Sequence, residues 1–234
     1  MSSVFQFKKF SVHHDKAAMK IGTDGVLLGA WASISNAKNI LDIGSGTGLI
    51  ALMVAQRNEK ALITALEIEP ESFLQMQHNF NISSWKDRIQ AVLVDFQNFE
   101  SDILFDSIIS NPPFYDDGNT NLDVQRSVAR HTHSLPYSIL MQKSASLLSK
   151  EGEFNVIIPY ENEENIIKLA HAHQLFLKRC TRVQGRVNTK IKRSLLCFSK
   201  VENNPVFNEL IIEKDRHIYT EDYINLCKDF YLKM

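Results

Sequence analysis

Asn111-Pro112-Pro113-Phe114 is the stretch whose residue types most clearly prescribe a chemistry. A carboxamide, two ring-locked residues and an aromatic ring in succession suit a planar, conjugated amine. The lone pair of such a nitrogen is delocalised into the adjoining π system. Attack on an electrophilic carbon requires that this lone pair be turned out of the plane. The Asn111 side-chain oxygen can accept one N–H of the amine, and the Pro112 carbonyl can accept the other. Two acceptors on one side favour a pyramidal nitrogen and stabilise the positive charge that grows on it. Each proline fixes its own φ and restricts its predecessor, which stiffens the turn. Phe114 offers a face on which the ring bearing the amine can stack. The nitrogen becomes acidic once alkylated, so positioning matters more than a strong base. Asn111, Pro112 and Phe114 are therefore the candidate catalytic residues. A tight Asn-Pro turn at a strand end would give the same string without chemistry. The glycine loop upstream separates the two readings.

That loop is Asp42-Ile43-Gly44-Ser45-Gly46-Thr47-Gly48. Gly44, Gly46 and Gly48 allow a sharp turn and close approach of backbone to a ligand, and the helix that follows favours negative charge at its start. A dinucleotide would need a third glycine where Leu49 stands, so the G-x-G-x-x-G fingerprint fails. S-adenosylmethionine suits the loop better, with its carboxylate near the loop amides and its ammonium near Asp42. Glu67 ends the next apolar run and can take the ribose hydroxyls. Asp95 ends the third and can accept from the adenine amine. Asn111 ends the fourth. Each acid alone reads equally well as a cap or turn residue. Together they fall at the carboxyl ends of successive strands, where doubly wound sheets bind ligands.

The elements that must position these residues alternate. Strand-like runs cover Asn39 to Ile43, Leu62 to Ile68, Ile89 to Val94, Phe105 to Ser110, Glu153 to Ile158, Leu175 to Val183 and Ser194 to Val201. Helical spacing covers Thr47 to Arg57, a segment opened by Pro70, Leu135 to Leu148, Asn162 to His173 and Glu221 to Tyr231. The alternation predicts an α/β, Rossmann-like doubly wound fold with a mostly parallel sheet and helices on both faces. Two segments break it. Residues 1–35 carry an apolar helix, Val26 to Trp31, which Thr23 or Asp24 can cap. Tyr115 to His133 is polar and aperiodic, and its length after the catalytic tetrapeptide predicts a lid.

With 234 residues, 44% hydrophobic and 23% charged, the chain fits one domain over residues 1–234. Cys180, Cys197 and Cys227 form no C-x-x-C, so no metal site is expected and reduced thiols are. No signal core and no membrane-length apolar run stand in the sequence, so a cytoplasmic protein is expected. The net charge of −1 excludes a globally basic nucleic-acid binder. Locally the picture differs. Lys178, Arg179, Arg182, Arg186, Lys190, Lys192, Arg193 and Lys200 follow one another with no acid between them. The middle of this tract, Val183 to Lys192, reads as a polar hairpin. Arg182, Arg186, Lys190, Lys192 and Arg193, with Arg130 and His131 near the lid, are the candidate RNA contacts. The competing reading is a charged sheet edge protected from aggregation.

The chain resembles class I, S-adenosylmethionine-dependent methyltransferases that carry an N-P-P-[FY] signature. More narrowly, it resembles the bacterial tRNA1(Val) (adenine-37-N6)-methyltransferase family. The narrow resemblance rests on Phe5 to Phe10, on Ala18 to Trp31 (A-M-K-I-G-T-D-G-V-L-L-G-A-W), on Leu41 to Ile50, on Asn111 to Tyr115 and on Ala129-Arg130-His131. It implies a seven-stranded sheet with the last strand antiparallel. It implies that residues 1–35 help close the cofactor site, which brings Lys20, Thr23 and Asp24 near cofactor or substrate. It also implies N6-methylation of an anticodon-loop adenosine in tRNA, adenosine 37 of tRNA-Val. The residues leave alternatives open. A glutamine side-chain amide poses the same lone-pair problem but needs no basic tract. A non-catalytic RNA-binding scaffold has no use for an intact Asn111, Pro112 and Phe114. A DNA adenine methyltransferase would need a target-recognition domain for which the chain is short. A nicotinamide oxidoreductase is disfavoured by Leu49.

Overall fold

The computed structural model describes residues 4–15, 21–113 and 135–234. The chain opens with a small hairpin, β1 (Val4–Gln6) and β2 (Ser11–His13), and then helix α1 (Thr23–Trp31). A βα alternation follows: β3 (Asn39–Ile43), α2 (Leu49–Arg57), β4 (Leu62–Glu67), α3 (Pro70–Asn81), β5 (Ile89–Leu93) and β6 (Phe105–Ser110). The second half runs α4 (Tyr137–Leu147), β7 (Leu148–Pro159), α5 (Glu163–Ala172), β8 (Phe176–Arg186), β9 (Ile191–Ser199), β10 (Val206–Asp215), β11 (Ile218–Tyr219) and α6 (Glu221–Cys227).

The main sheet has the order β11-β10-β8-β9-β7-β6-β3-β4-β5. Strands β3 to β7 are mutually parallel, and β9 runs antiparallel to both β7 and β8. The doubly wound arrangement and the antiparallel strand are those expected. The sheet is larger than the expected seven strands, however, and β9 is not its last. β10 pairs parallel to β8 and carries β11 on its other side. The sequence gives little warning of β10. Its charged residues interrupt any apolar run, and among its ten residues only Leu210 is buried. It is held by backbone pairing along β8 rather than by burial of alternate side chains.

Strand order reverses between β3 and β6. From β3 the chain winds through β4 to β5, then returns to place β6 and β7 on the other side. Ile43 lies opposite Ser110 across this switch point, and Ser110 Oγ donates to the Ile43 carbonyl at 3.1 Å. The glycine loop and Asn111 thus leave neighbouring strands at the same carboxyl edge, where open α/β sheets bind ligands. Because β8 is antiparallel to β9, the turn joining them rises at this edge too.

Each face of the sheet has its own core. On one face, Ile40, Ile63, Leu195 and Val183 pack under α1, α2 and α6. On the other, Leu41, Ile43, Ile108 and Phe154 pack under α4 and α5. Helix α1 is apolar almost all round because it is covered almost all round, by the sheet, α2 and α6. A Cβ at Gly29 would lie 2.7 Å from Met53 Sδ, so glycine sets the distance between α1 and α2. The amino-terminal hairpin is fixed by aromatics: Phe7 stacks on Phe10 with ring centroids 4.7 Å apart, and Phe10 meets Trp85 edge-on at 5.7 Å. No described helix is long and apolar enough to cross a membrane.

Candidate active site at the carboxyl edge

The glycine loop is held in a shape that requires glycine. Gly44, Gly46 and Gly48 take φ of 69°, 56° and 80°, a region that L side chains rarely adopt. Gly48 also meets the wall behind it: a Cβ there would sit 2.4 Å from Phe80 Cε1. At Gly44 and Gly46 nothing lies within 4 Å of such a Cβ, so the front of the loop is an open cradle.

Glu67 braces this loop. Its Oε2 accepts the Gly46 N–H at 2.7 Å, and its Oε1 accepts the N–H groups of Ile68 and Glu69, each at 2.9 Å. A carboxylate has about four acceptor positions, so one remains at Oε2. Asp95 caps the short turn after β5, accepting from Gln97 N at 2.8 Å and from Gln97 Nε2 at 3.4 Å. Lys143 of α4 secures that turn by donating to the Gln97 and Phe99 carbonyls at 2.9 and 2.8 Å.

Asp42 is different. It is 1% exposed, and among the described residues neither carboxylate oxygen has a hydrogen-bond partner. Ser45 Oγ donates to the main-chain carbonyl of Asp42 instead, at 3.0 Å. Burial pushes the Asp42 pKa up to about 7, opposed in part by hydrogen bonding from Ser45 and the Ala51 amide, neither of which meets the carboxylate in full hydrogen-bond geometry. A buried carboxylate without a partner is costly, and native proteins seldom leave one without a functional reason. Asn111 Oδ1, at the end of the adjoining strand, is likewise buried without a partner. An ammonium-bearing ligand would complete Asp42, and an N–H donor would complete Asn111. The open cradle, the spare acceptor on Glu67 and the unpaired Asp42 fit S-adenosylmethionine, which offers an ammonium, two ribose hydroxyls and a carboxylate.

Helix α1 forms another wall. A Cβ at Gly25 would lie 4.0 Å from Asn111 Nδ2 and 3.2 Å from Leu49 Cδ2. The first turn of α1 is fixed there by Asp24, whose Oδ2 accepts from Arg193 Nε at 2.8 Å. Thr23, the first residue of that turn, is exposed. Two contributors carry no signal in the sequence. Asn79 donates to the carbonyls of His13 and Thr47, both at 2.9 Å, and accepts from His13 N, so it ties the amino-terminal hairpin to the glycine loop. Its place in the polar stretch of an amphipathic helix gives no hint of this. Lys143 is the other, an ordinary surface lysine by sequence.

The basic tract is mostly answered by acids from elsewhere in the chain. Lys178 pairs with Glu153 and Arg193 with Asp24. Arg186 reaches Glu213 at 3.3 Å. Arg182 forms a fork on Glu163, with Nε at 3.1 Å from Oε1 and Nη2 at 2.6 Å from the same oxygen. Burial would raise the Glu163 pKa, but the Arg182 and Ser194 hydrogen bonds outweigh it and hold the carboxyl below its usual range. Arg179 lies over the Trp31 ring at 3.8 Å and donates to the Trp31 carbonyl. Lys190, in the exposed β8–β9 turn, and Lys192, exposed near the start of β9, have no carboxylate partner among the described residues. Lys20, Phe114, Arg130, His131 and the expected lid lie outside the described residues.

Comparison with known proteins follows the same lines. The methyltransferase small domain family matches residues 16–168. The chain is 46% identical, over 98% of both sequences, to a tRNA1(Val) (adenine(37)-N6)-methyltransferase of Christiangramia forsetii. It is 47% identical to the protein of that name from Flavobacterium psychrophilum, over 99% of this chain and all of the relative. Among solved structures, a protein described as a predicted O-methyltransferase from Agrobacterium tumefaciens superposes with a TM-score of 0.72 at 20% identity, covering 88% of this chain and 96% of its own. At that identity the likeness speaks for the fold alone.

Proposed function

The chain belongs to the methyltransferase small domain family and, within it, to the tRNA1(Val) (adenine(37)-N6)-methyltransferase family, and from that premise we propose that it methylates N6 of adenosine 37 in the anticodon loop of tRNA-Val. The observation that carries this reading is a pair of buried polar groups with no partner among the described residues, the Asp42 carboxylate and Asn111 Oδ1, on neighbouring strand ends at the switch point. One suits an ammonium and the other an amine N–H.

When bound, S-adenosylmethionine supplies an electrophilic methyl group on a sulfonium. Asp42 pairs with its ammonium, and Glu67 takes a ribose hydroxyl while bracing Gly46. Gly44 and Gly46 leave room for close approach of the loop backbone, Gly48 lets the loop turn against Phe80, and Asp95 accepts from the adenine amine. Asn111 and Pro112 accept the two N–H groups of the target N6 and turn its lone pair toward the methyl carbon. As the N–C bond forms, the sulfonium S–C bond would break to leave a neutral thioether, and the methylated nitrogen would release its proton to solvent, which needs no strong base. Phe114 stacks on the target base, which a single-stranded loop can extrude at low cost. Residues 1–35, with Lys20, Thr23 and Asp24, close the site, Asp24 acting through its hold on Arg193. Lys190 and Lys192 meet RNA phosphates, and Arg130 and His131 are assigned the same role. Arg182, Arg186 and Arg193 support that surface from within their ion pairs.

The test is transfer of labelled methyl from S-adenosylmethionine into unmodified total tRNA, with protein and DNA as parallel acceptors, followed by nucleoside analysis. Label in N6-methyladenosine is expected. Label in protein alone would move the substrate to a side-chain amide, and label in no acceptor would overturn the reading.

A further inference from the structure

A cavity of about 700 Å³ opens beside the first turn of α1, away from the glycine loop. Its walls include Phe5 of β1, Thr23 of α1, Glu213 of β10, Tyr219 of β11, Tyr223 of α6 and Tyr231. None of these residues has a part in cofactor binding or amine activation, Thr23 apart. Tyr219 and Tyr223 stand with ring centroids 5.2 Å apart. Four aromatic side chains thus share the cavity wall with aliphatic ones such as Ile212 and Leu232, and Glu213 and Lys233 are its charged groups. Glu213 Oε2 accepts from Arg186 and its Oε1 from the His217 N–H, each at 3.3 Å, which leaves acceptor positions on both oxygens.

Two features connect this cavity to the active site. The first is α1. Thr23 lines the cavity, and Gly25, two residues on, faces Asn111. Those two residues are only about 3 Å apart along a helix axis. The second is the basic turn. The Val187 N–H donates to the Glu213 carbonyl at 3.3 Å, so the cavity rim is where the turn bearing Lys190 begins. A cavity with four aromatic rings, near lysines that have no carboxylate partner among the described residues, matches the two halves of a nucleotide: a base to stack and a phosphate to neutralise.

We propose that this cavity receives the base of a loop nucleotide flanking the target adenosine. The first turn of α1 then separates the two extruded bases. The inference rests on the reading of RNA as substrate and goes beyond it by assigning a second base-binding site.

The test uses full-length unmodified tRNA-Val in which single anticodon-loop bases other than the target are removed one at a time. KM and kcat for N6 transfer are measured with the intact protein, Tyr219→Ala and Tyr219→Phe, and melting temperatures are compared. Removal of one particular flanking base should raise KM about tenfold for the intact protein and for Tyr219→Phe, with kcat steady. Tyr219→Ala should show that rise on intact tRNA and no further rise on the abasic one. If Tyr219→Ala melts early, Phe5→Ala carries the same comparison from β1. Independent, multiplying losses at every position, or no loss at any, would overturn the second site while leaving the substrate reading in place. Absence of N6 transfer to intact tRNA would bring down both.

Discussion

The switch point and the basic tract treat polar groups in opposite ways. At the switch point, Asp42 and Asn111 are buried and left without partners among the described residues. In the tract, cations that stand in sequence with no acid between them are met by Glu153, Glu163, Glu213 and Asp24 from distant parts of the chain. A buried group without a partner is stable only when something outside the chain completes it or when strain is stored for function. A cation with a partner serves first to hold two elements together. Buried atoms without a partner among the described residues occur elsewhere too, at Gln56 Oε1 and Ser144 Oγ, but at Asp42 and Asn111 they coincide with strand ends beside the open glycine cradle. In the tract, Lys190 and Lys192 have no carboxylate partner among the described residues, and they are the cations on which the contrast turns.

The largest effect expected from the comparison is at Asn111. Asn111→Ala removes one acceptor of the target amine, and the single-turnover rate should fall at least a hundredfold, the scale of losing one preorganised transition-state hydrogen bond, roughly 10²–10³. Calorimetric affinity for S-adenosylmethionine should stay nearly unchanged. A matching loss of cofactor affinity would place Asn111 in a different role.

Arg182 sharpens the comparison from the other side. Arg182→Ala leaves Glu163, 7% exposed, with Ser194 and Cys180 as its remaining donors. Breaking a buried pair costs about 3–5 kcal/mol, and less here because the Arg182 side chain is a third exposed. A loss of about 1–3 kcal/mol in urea unfolding is expected. The salt dependence of tRNA binding should change little. A large change in that slope with no loss of stability would return Arg182 to the RNA surface.

The smallest effect belongs to the paired substitution of Lys190 and Lys192 by alanine. Stability should not change. Affinity for tRNA should fall several-fold, and the slope of log affinity against log salt should flatten by about 1 to 1.5, near 0.7 for each lost single-strand phosphate contact. An unchanged slope would remove the turn from the RNA site.

The placement of the candidate residues at strand ends was more legible in sequence than the surrounding structure. Asp42, the glycines, Glu67, Asp95 and Asn111 lie at strand ends, and strand ends are set by local apolar runs and glycine geometry, which a sequence displays directly. The core βα alternation was legible for the same reason. The ion pairs of the basic tract, such as Arg182 with Glu163 and Arg193 with Asp24, left no trace in sequence because they join residues far apart in the chain. β10 escaped because its stability comes from backbone pairing with β8, which leaves no apolar pattern. Asn79 and Lys143 act through main-chain carbonyls brought near only by folding.

Whether Asp42 meets a cationic ligand is read most directly from proton release on binding. Burial keeps the free Asp42 carboxyl protonated up to about pH 7. In the unfolded chain it ionises near 3.9, so the native state holds the extra proton and stability falls as pH rises from about 4 to about 7. An ammonium beside the carboxylate would favour its charged form and expel that proton. Calorimetry of S-adenosylmethionine binding near pH 6, repeated in buffers of different ionisation enthalpy, should therefore show close to one proton released for the intact protein and none for Asp42→Asn. Affinity should rise with pH through about 7 in the former and stay flat in the latter. Equal proton release from both would contradict the account, because the ligand would then bind without meeting Asp42.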